Sequence, residues 1–261
     1  MSLQEKRVAL ITGATSGIGL ASARALGAQG HRVFIGARDA ANVAATVKEL
    51  QAEGIEADGT VLDVRDSASA AAFVQAAVDR FGSVDVLVNN AGRSGGGVTA
   101  DIDEELWNDV VDTNLNSVFR LTKEALNTGG MRHKSRGRII NIASTAGKQG
   151  VVLGAPYSAS KHGVVGFTKA LGNELAPTGI TVNAVCPGYV ETPMAQRVRA
   201  GYAAAYDTSE DAILDRFQSK IPLGRYSTPE EVAGMVAYLA SDTAASVTAQ
   251  AINVCGGLGN F

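Results

Sequence analysis

The chain has 261 residues, of which 46% are hydrophobic and 19% charged, and its formal net charge is -3. This composition excludes a disordered or fibrous protein, and the length favours one domain over residues 1–261 with a sizeable core. Because the chain is slightly negative, it has no general attraction to phosphate polymers. We therefore expect neither nucleic acid nor an anionic membrane as a partner.

The sequence carries no signal for a membrane span, an oxidising compartment or a metal site. It has no run of 18 apolar residues and no signal-peptide apolar region near its start, which favours a cytoplasmic protein. Cys186 and Cys255 lie in apolar segments, so we expect two buried free thiols. The histidines lack the spacing of metal ligands, and we predict that no metal is bound.

Short apolar runs alternate with helical patterns along the chain. In chain order, we predict strands at 8–11, 32–36, 60–62, 84–88, 138–143, 181–185 and 250–254, and helices at 18–29, 40–53, 68–81, 103–126 and 157–175. This alternation favours parallel strands joined by right-handed crossovers. The sequence therefore predicts a doubly wound α/β fold, a seven-stranded parallel sheet with helices on both faces. Left-handed glycines are expected to end helices at Gly30, Gly54, Gly82 and Gly179.

A glycine-rich turn joins the first predicted strand to the first helix, and it reads T-G-A-T-S-G-I-G at 12–19. Glycines let the backbone turn tightly and approach a pyrophosphate, whose charge the amides at the helix N-terminus stabilise. The spacing differs from the commoner G-x-G-x-x-G, but the strand-to-helix context predicts a dinucleotide site. The residues assigned to it are Gly13, Thr15, Ser16, Gly17, Ile18 and Gly19.

The end of the second strand indicates which dinucleotide is bound. In such folds an acid there binds the ribose of NAD, whereas an arginine accommodates the extra phosphate of NADP. Ala37 occupies the expected acid position and Arg38 follows it. We therefore predict NADPH/NADP+, bound through Arg38. The alternative is that Arg38 is only solvated and Asp39 binds the ribose.

Three side chains have the chemistry of a carbonyl reductase. Tyr157 and Lys161 are four residues apart, so on a helix both project from one face. A nearby ammonium stabilises phenolate, which predicts a lowered pKa for Tyr157 and a role as general acid or base. Ser144 ends an apolar strand, where its hydroxyl can donate to a substrate oxygen. Y-x-x-x-K alone also occurs by chance in many helices.

The chain resembles a classical short-chain dehydrogenase/reductase over essentially its whole length, which implies a single Rossmann-type domain. The motifs that carry the resemblance, in chain order, are T-G-A-T-S-G-I-G at 12–19, Asp63-Val64, Asn89-Asn90-Ala91-Gly92, Asn114, Ser144, Tyr157, Lys161 and Pro187-Gly188. The resemblance implies a catalytic tetrad of Asn114, Ser144, Tyr157 and Lys161. It also implies that cofactor contacts come from Asp63, Val64, Asn90, Ala91, Gly92, Tyr157, Lys161, Pro187, Gly188, Val190 and Thr192.

The tetrad roles implied by the resemblance are those of a ketone reductase. Tyr157 would protonate the alkoxide that forms as a ketone accepts hydride from NADPH, with Ser144 hydrogen-bonded to the same oxygen. Lys161 would hold the nicotinamide ribose. Asn114 would hold a water that connects Lys161 to solvent and so returns a proton to Tyr157.

Finer resemblance concerns the substrate. The loop Arg93-Ser94-Gly95-Gly96-Gly97, the segment after Ser144 and the C-terminal stretch 253–261 are similar to ketoreductases of bacterial aromatic (type II) polyketide pathways, of the actinorhodin and hedamycin kind. Those enzymes reduce one carbonyl of a poly-β-ketone attached to an acyl carrier protein. That group often has Pro where this chain has Ser94, a departure that bears on stereochemical control. The implied substrate residues are Arg93, Ser94, Gly95, Gly96, Thr145, Gln149, Val151, Met194 and Tyr202.

The segment 193–225 and several surface residues are also interpreted through this resemblance. Apolar positions recur every four residues from Val198 and from Ile213, which fits two amphipathic helices that form either a substrate lid or ordinary core packing. Arg38, Arg65 and Arg93 are a possible docking patch for an acidic carrier protein. Family members usually form tetramers, and 106–107 and 110–111 suit burial between subunits or within one chain.

Three functions remain to be distinguished at this stage. The first is an aromatic polyketide ketoreductase, and the second is a 3-oxoacyl-[acyl-carrier-protein] reductase of fatty acid synthesis or another small-molecule alcohol dehydrogenase. The third is a non-enzymatic dinucleotide sensor, which predicts a broken tetrad. All four tetrad residues are present, which disfavours the sensor.

Overall fold

A computed structural model of the chain describes residues 6–259, so Asn260 and Phe261 of the C-terminal stretch lie outside the described residues, as does the start of the chain. Seven strands form one parallel sheet in the order β3-β2-β1-β4-β5-β6-β7. They are β1 Val8–Thr12, β2 Arg32–Ala37, β3 Ala57–Val61, β4 Val86–Asn89, β5 Gly137–Ile142, β6 Ile180–Pro187 and β7 Ala251–Val254. The predicted doubly wound α/β fold is confirmed.

Helices cover both faces of this sheet. Their bounds are α1 Gly17–Ala28, α2 Ala40–Ala52, α3 Ser67–Phe81, α4 Glu104–Val111, α5 Ser117–Leu126, α6 Ala155–Leu175, α7 Pro193–Ala205, α8 Glu210–Gln218 and α9 Pro229–Ala240. One apolar layer contains Leu26 and Val236, and the opposite layer contains Phe73 and Leu171. Because both faces are covered, the inner strands are largely apolar and every residue of β1 and β5 is buried, including the polar or charged Thr12, Arg138 and Asn141.

The strand order reverses between β1 and β4, and this reversal positions the site. In doubly wound sheets, ligands bind beyond the carboxyl ends of the strands at such a switch point. The glycine turn follows β1, Asn90 follows β4, Ser144 lies just beyond β5 and Gly188 follows β6. Four separate stretches of sequence therefore meet along one edge of the sheet.

Two predicted elements differ from those observed. The third strand is predicted at 60–62 but spans Ala57–Val61, because it is an edge strand whose Asp58 and half-exposed Val61 hide the apolar pattern. The predicted helix 103–126 is observed as an unbroken helical stretch from Glu104 to Leu126, but the π-helical turn Asp112–Asn116 changes its hydrogen-bond pattern between α4 and α5. π-Helical turns are frequent at functional sites, and this one contains Asn114.

Smaller expectations about the backbone and the thiols are confirmed. Gly30, Gly54, Gly82 and Gly179 have φ between 82° and 93° at the ends of helices. Cys186 and Cys255 are both buried and free. Within residues 6–259, no helix has the length and apolar character that crossing a membrane requires.

Candidate active site

The four predicted tetrad residues come together at the carboxyl edge of the sheet. Ser144 follows β5, and its Oγ accepts a hydrogen bond from the backbone N–H of Ala146 at 3.1 Å. Tyr157 and Lys161 lie on the first turns of α6, and Lys161 is only 5% exposed. Asn114 reaches the same region from the π-helical turn. These four side chains, which lie between positions 114 and 161 of the sequence, thus form one cluster of amide, hydroxyl, phenol and ammonium groups.

Burial controls the protonation of Tyr157 and Lys161. Desolvation raises the pKa of Tyr157, and a hydrogen bond with the Ser144 hydroxyl opposes that rise only in part. Burial lowers the pKa of Lys161 to about 8. The prediction that the ammonium lowers the Tyr157 pKa is therefore wrong for this structure. Lys161 Nζ is 5.8 Å from the tyrosine ring centroid and donates to the Ile142 carbonyl at 2.8 Å.

Asn114 is held by hydrogen bonds on both its amide atoms. Its Oδ1 accepts from the backbone N–H of Arg93 at 2.8 Å, and its Nδ2 donates to the Arg93 carbonyl at 3.0 Å and to Ser160 Oγ at 3.1 Å. A Cβ on Gly92 would lie 3.2 Å from Asn114 Oδ1 and 3.7 Å from Lys161 Nζ. Glycine at this position keeps the space between these polar atoms open.

The glycine turn fits the pyrophosphate of a dinucleotide. Gly13 and Gly17 have φ of 64° and 54°, and a Cβ on Gly19 would overlap the Asn90 amide and the Gly13 carbonyl. At the start of α1, the Ser16 side chain makes no capping hydrogen bond and the first turn contains no acid. Since side chains cap α2, α3 and α4, the uncapped amides of α1 are left for an anion.

Asn90 and Thr12 fasten this turn to the neighbouring strand. Asn90 Nδ2 donates to the carbonyls of Thr12 and Gly13 at 2.9 and 3.0 Å. Thr12 Oγ1 accepts from the backbone N–H groups of Asn90 and Ala91 at 3.0 and 2.9 Å. The side chain of Asn90 therefore supports the turn, and its amide hydrogens are already used. Thr12 was not among the predicted site residues, because a buried threonine at a strand end has no distinctive sequence signal.

The geometry at the end of β2 favours Arg38 over Asp39 as the cofactor residue. The Asp39 carboxylate accepts from the backbone N–H of Asn42 at 2.8 Å and so caps α2. Arg38 is exposed at the same edge and contributes to the low pKa of Asp63. Arg38 is therefore available for the 2′-phosphate of NADP, whereas the Asp39 carboxylate is already used in the helix cap. This arrangement favours NADP over NAD, whose ribose would need a free carboxylate.

Asp63 and Val64 follow β3, as predicted. Two groups of Arg65, its side chain and its backbone N–H, bind Asp63, and they hold the Asp63 pKa at about 2. Val64 is 7% exposed. The carboxylate is therefore charged at all working pH values, and the valine gives an apolar surface at the edge where an adenine ring is expected.

The segment after β6 faces the glycine turn. A Cβ on Gly17 would lie 3.1 Å from Thr192 Cγ2, so these two positions are in contact range. Val190 is buried and pairs with Ser227 in a short parallel bridge. A Cβ on Gly188 would lie 2.9 Å from Cys255 Cβ, which explains the glycine after Pro187. The two stretches predicted to bind the cofactor, 12–19 and 187–192, therefore come together at the carboxyl edge of the sheet.

The predicted substrate loop is packed between two other segments. Arg93 forms an ion pair with Asp109 of α4, and its Nε donates to the Ser94 carbonyl at 3.1 Å. A Cβ on Gly95 would overlap Val110, and one on Gly96 would overlap the Leu153 carbonyl. These two glycines are required by close backbone approach, so the loop has a defined position between α4 and the 151–154 segment.

Helix α7 touches the other side of the 151–154 segment. The Tyr202 hydroxyl donates to the Val152 carbonyl at 2.9 Å. Thr145 is buried next to Ser144, whereas Val151 is 38% exposed. Gln149, Ser94 and Met194 are half-buried at the same edge. The predicted substrate residues thus come from three stretches of sequence, of which the 93–97 loop and α7 both contact the 151–154 segment.

Cys186 is a neighbour of the tetrad that the sequence did not indicate. Its Sγ accepts a hydrogen bond from the backbone N–H of Ser144, and its thiol lies within electrostatic range of Tyr157 and Lys161. Burial raises the Cys186 pKa, so the thiol is uncharged. The sequence predicts only a buried thiol here, because the pairing of β5 with β6 brings it to Ser144.

Comparison with known proteins extends these observations. The family model described as short chain dehydrogenase matches residues 7–203. A Streptomyces virginiae protein named as a ketoacyl reductase of the monensin polyketide synthase is 79% identical over 261 residues, with 100% of both chains covered. A Streptomyces violaceoruber protein named as ketoacyl reductase 1 of the granaticin polyketide synthase is 67% identical over 256 residues, covering 98% of this chain and 94% of its own.

A solved structure is also similar to this chain. The crystal structure of a variant of actinorhodin polyketide ketoreductase with NADPH has a TM-score of 0.97 and 62% sequence identity, and the match covers 100% of both chains. Because the match covers all of both chains, the likeness extends beyond the sheet to the helices after β6. Since the family model alone extends from the first strand to Ala203, the chain belongs to the short-chain dehydrogenase family.

Proposed function

We propose that this protein is an NADPH-dependent ketoreductase that reduces one carbonyl of a poly-β-ketone carried by an acyl carrier protein, in aromatic polyketide antibiotic biosynthesis. The observation that carries the proposal is a complete tetrad at the switch point, in a chain 67% and 79% identical to proteins named as polyketide synthase ketoacyl reductases. We also propose a cytoplasmic location, which the two free thiols support.

Binding of NADPH rests on the cleft between the glycine turn and the segment after β6. The amides at the start of α1 would hold the pyrophosphate, Arg38 the 2′-phosphate, and Asp63 and Val64 the adenine end. Val190 and Thr192 would border the nicotinamide. When bound, NADPH supplies the hydride that a ketone carbon accepts. The solved NADPH complex of the actinorhodin ketoreductase, 62% identical to this chain, supports the choice of cofactor.

In this proposal the tetrad residues donate a proton to the ketone oxygen and then restore that proton to Tyr157. The raised pKa of Tyr157 keeps its hydroxyl protonated, so that it can donate to the ketone oxygen as negative charge develops there. Ser144, hydrogen-bonded to Tyr157, donates to the same oxygen. The Lys161 ammonium lies one helical turn away, and the open space beside Gly92 gives room for a water between it and Asn114. That water would return the proton.

The substrate is proposed to enter between the 93–97 loop and α7. Helices α7 and α8 surround an apolar cluster that contains Phe217 and Tyr226, with Tyr189 stacked on both rings at centroid distances of 4.7 and 5.3 Å. This packing ties the helices to one another and to the segment after β6. The contact of Tyr202 with Val152 supports a lid at about 193–225 whose position depends on the substrate loop.

We also propose that the carrier protein docks on Arg38, Arg65 and Arg93. Arg65 pairs with Asp63 and Asp109, and Arg93 also pairs with Asp109. Two of the three positive charges are thus partly neutralised, and only Arg38 has no carboxylate within ion-pair distance among residues 6–259. Docking here would require a carrier-protein acid to displace Asp109 from an arginine.

The substrate class can be tested with NADPH oxidation assays. We expect faster turnover at limiting concentration, measured as kcat/KM, for a bicyclic ketone such as trans-1-decalone than for a short linear β-ketoester. A bicyclic ketone resembles the cyclised part of an aromatic polyketide in shape. A clear preference for the linear ester would instead support a 3-oxoacyl-[acyl-carrier-protein] reductase and would reject the polyketide assignment.

A further inference from the structure

A basic cavity lies at the opposite edge of the sheet from the tetrad, near the amino ends of β1, β4 and β5. Its volume is about 270 Å³, which is smaller than most ligand pockets for drug-sized molecules. The residues that line it are Arg7, Asp85, Val86, Lys134, Ser135, Arg136 and Arg138. Four of these seven side chains are cationic and one is acidic, so the cavity has an excess of positive charge.

Two carboxylates of this region form ion pairs with three of the cations, and Asp242 acts on the fourth, Arg138, only from beyond ion-pair distance. Lys134 forms an ion pair with Asp85. Arg7 and Arg136 share the carboxylate of Asp242, at 2.9 and 2.8 Å. Among residues 6–259, no carboxylate lies within ion-pair distance of Arg138. The four cations therefore face two carboxylates, which leaves about two positive charges for a bound anion.

Arg138 is also one of the most deeply buried charged groups in the protein. It is 2% exposed, and its Nη1 donates only to backbone carbonyls, those of Gly137 at 2.8 Å and Gly179 at 3.5 Å. Within residues 6–259, Arg138 Nε and Arg136 Nε are buried without a hydrogen-bond partner. Burying a charge without an ion-pair partner destabilises the folded protein. An anion in the cavity would reduce this cost by supplying a nearby negative charge.

We propose that this cavity is a binding site for a phosphate-sized dianion, either inorganic phosphate or the phosphoryl group of a small metabolite. Arginine suits this role, because its planar donors match phosphate oxygens and it stays charged even when burial lowers its pKa. Lys134 and Arg7 add charge at the rim. The small volume admits a phosphoryl group but not an entire dinucleotide.

The proposed site is separate from the cofactor cleft. Arg138 lies at the amino end of β5, and Ser144 lies just beyond its carboxyl end. Six residues of extended chain span about 20 Å, so the two sites are on opposite edges of the sheet. Phosphate bound near Arg138 would therefore stabilise the protein without competing with NADPH.

The test is isothermal titration of inorganic phosphate into enzyme saturated with NADPH, with chloride at matched ionic strength as the blank. Saturation with NADPH fills the phosphate-binding groups of the cofactor cleft. We expect one saturable site, and we expect Arg136→Gln to weaken phosphate binding about 10-fold or more. Arg136 is chosen because its side chain is 25% exposed and its replacement should be tolerated. Arg138→Gln is the second variant, measured if it folds.

A matched control uses an arginine outside both sites. Arg80 on α3 pairs with Asp58 at 2.9 Å, and we expect Arg80→Gln to bind phosphate as the wild type does. Absence of a saturable site in the wild type, or unchanged affinity in Arg136→Gln, would overturn the proposal. Parallel titration with glycerol 3-phosphate separates the two sources. Tighter binding of the ester supports a phosphorylated metabolite, and tighter binding of the free ion supports inorganic phosphate.

Discussion

The side chains of Tyr157 and Lys161 respond to burial in opposite ways, and each response suits a different task. Desolvation raises the tyrosine pKa and lowers the lysine pKa, because it disfavours whichever form carries charge. A protonated phenol can act as an acid, and a lysine with a pKa of about 8 can exchange a proton near neutral pH. Burying the Lys161 ammonium should lower the free energy of unfolding, and this effect can be measured.

The first prediction concerns the proton donor. Tyr157→Phe should lower kcat for ketone reduction at least about 100-fold, since it removes the general acid but keeps the ring. The measurement is steady-state NADPH oxidation. Tyr238→Phe on α9, where the tyrosine is 42% exposed, is the matched control and should leave kcat unchanged. Turnover of Tyr157→Phe near that of the wild type would contradict the assignment.

The second prediction concerns the buried ammonium and its pH dependence. The Lys161 pKa falls from 10.5 to about 8 on folding, so between these values the unfolded chain binds more protons. The contribution of Lys161 to the free energy of unfolding should therefore become less unfavourable as pH increases from 8 to 10.5, whereas the raised pKa values of Cys186 and Tyr157 act in the opposite direction in the upper part of this range. Lys161→Met avoids the cost of burying charge. At pH 7 the cofactor-free variant should be more stable by about 2 kcal/mol, after allowance for the lost hydrogen bond to Ile142.

Urea denaturation at pH 7 and at pH 10 measures this difference. We expect Lys161→Met to be inactive yet more stable at the lower pH, with the gap narrowing at the higher pH. A variant that is less stable than the wild type at both pH values would show that the hydrogen bond to Ile142 outweighs the desolvation of the ammonium.

The third prediction concerns cofactor choice. Arg38→Gln should raise KM for NADPH about 10-fold or more and leave KM for NADH nearly unchanged, because only NADPH carries the 2′-phosphate. Asp39→Asn is the control, since an asparagine side chain can still cap α2 by accepting from Asn42. If Asp39→Asn rather than Arg38→Gln changed the preference, Asp39 would be the ribose-binding residue.

Helices and loops around the opening depend on a few close backbone contacts. The 93–97 loop packs on the 151–154 segment, where the Gly97 N–H donates to the Leu153 carbonyl at 2.9 Å. Leu153 itself has a left-handed φ of 59°. The 151–154 segment in turn accepts the Tyr202 hydroxyl from α7. A change in one of these elements should therefore be transmitted to the other two.

The fourth prediction tests that coupling. A Cβ at Gly96 would overlap the Leu153 carbonyl, so Gly96→Ala should displace the loop and lower the free energy of unfolding by about 1–3 kcal/mol. We also expect a higher KM for a bicyclic ketone. Gly150→Ala is the matched control, because nothing lies within 4 Å of a Cβ at Gly150. Equal stability and equal KM for the two variants would argue against a rigid loop.

The assembly of the protein is proposed to be a homotetramer. Of the positions named for subunit burial, Val110 is fully buried within its own chain against Gly95, whereas Trp107 is 42% exposed. Phe119 on α5 is 55% exposed. Exposed aromatic side chains of this size on neighbouring helices support a contact between copies of the chain.

The fifth prediction addresses this contact. Phe119→Glu should reduce the molar mass in solution from that of a tetramer to a smaller species, as measured by light scattering after size-exclusion chromatography. Val61→Glu at the edge of the sheet, where the valine is 47% exposed, is the control. A wild-type protein that is monomeric, or a Phe119→Glu variant that stays tetrameric, would remove α5 from the interface.

Much of the fold and of the candidate site follows from local patterns in the sequence. Apolar runs predict the inner strands because both faces of a parallel sheet are buried, and the glycine turn and the Tyr157–Lys161 spacing are local features. The first residues of the edge strand β3 and the π-helical turn were not predicted, for a physical reason. A half-exposed strand lacks a continuous apolar run, and one inserted residue in a helix leaves the periodicity almost unchanged.

Contacts between residues far apart in the sequence could not be predicted from local patterns and are known only from the tertiary structure. The pKa direction of Tyr157 depends on desolvation by many neighbours, and the sequence, which showed only the lysine one turn away, predicted the wrong sign. Cys186 meets Ser144, Asp109 holds Arg93, and Arg138 is left without a counterion because strands and helices far apart in sequence pack together. Local patterns record propensity and spacing, whereas burial and charge pairing arise from packing in three dimensions.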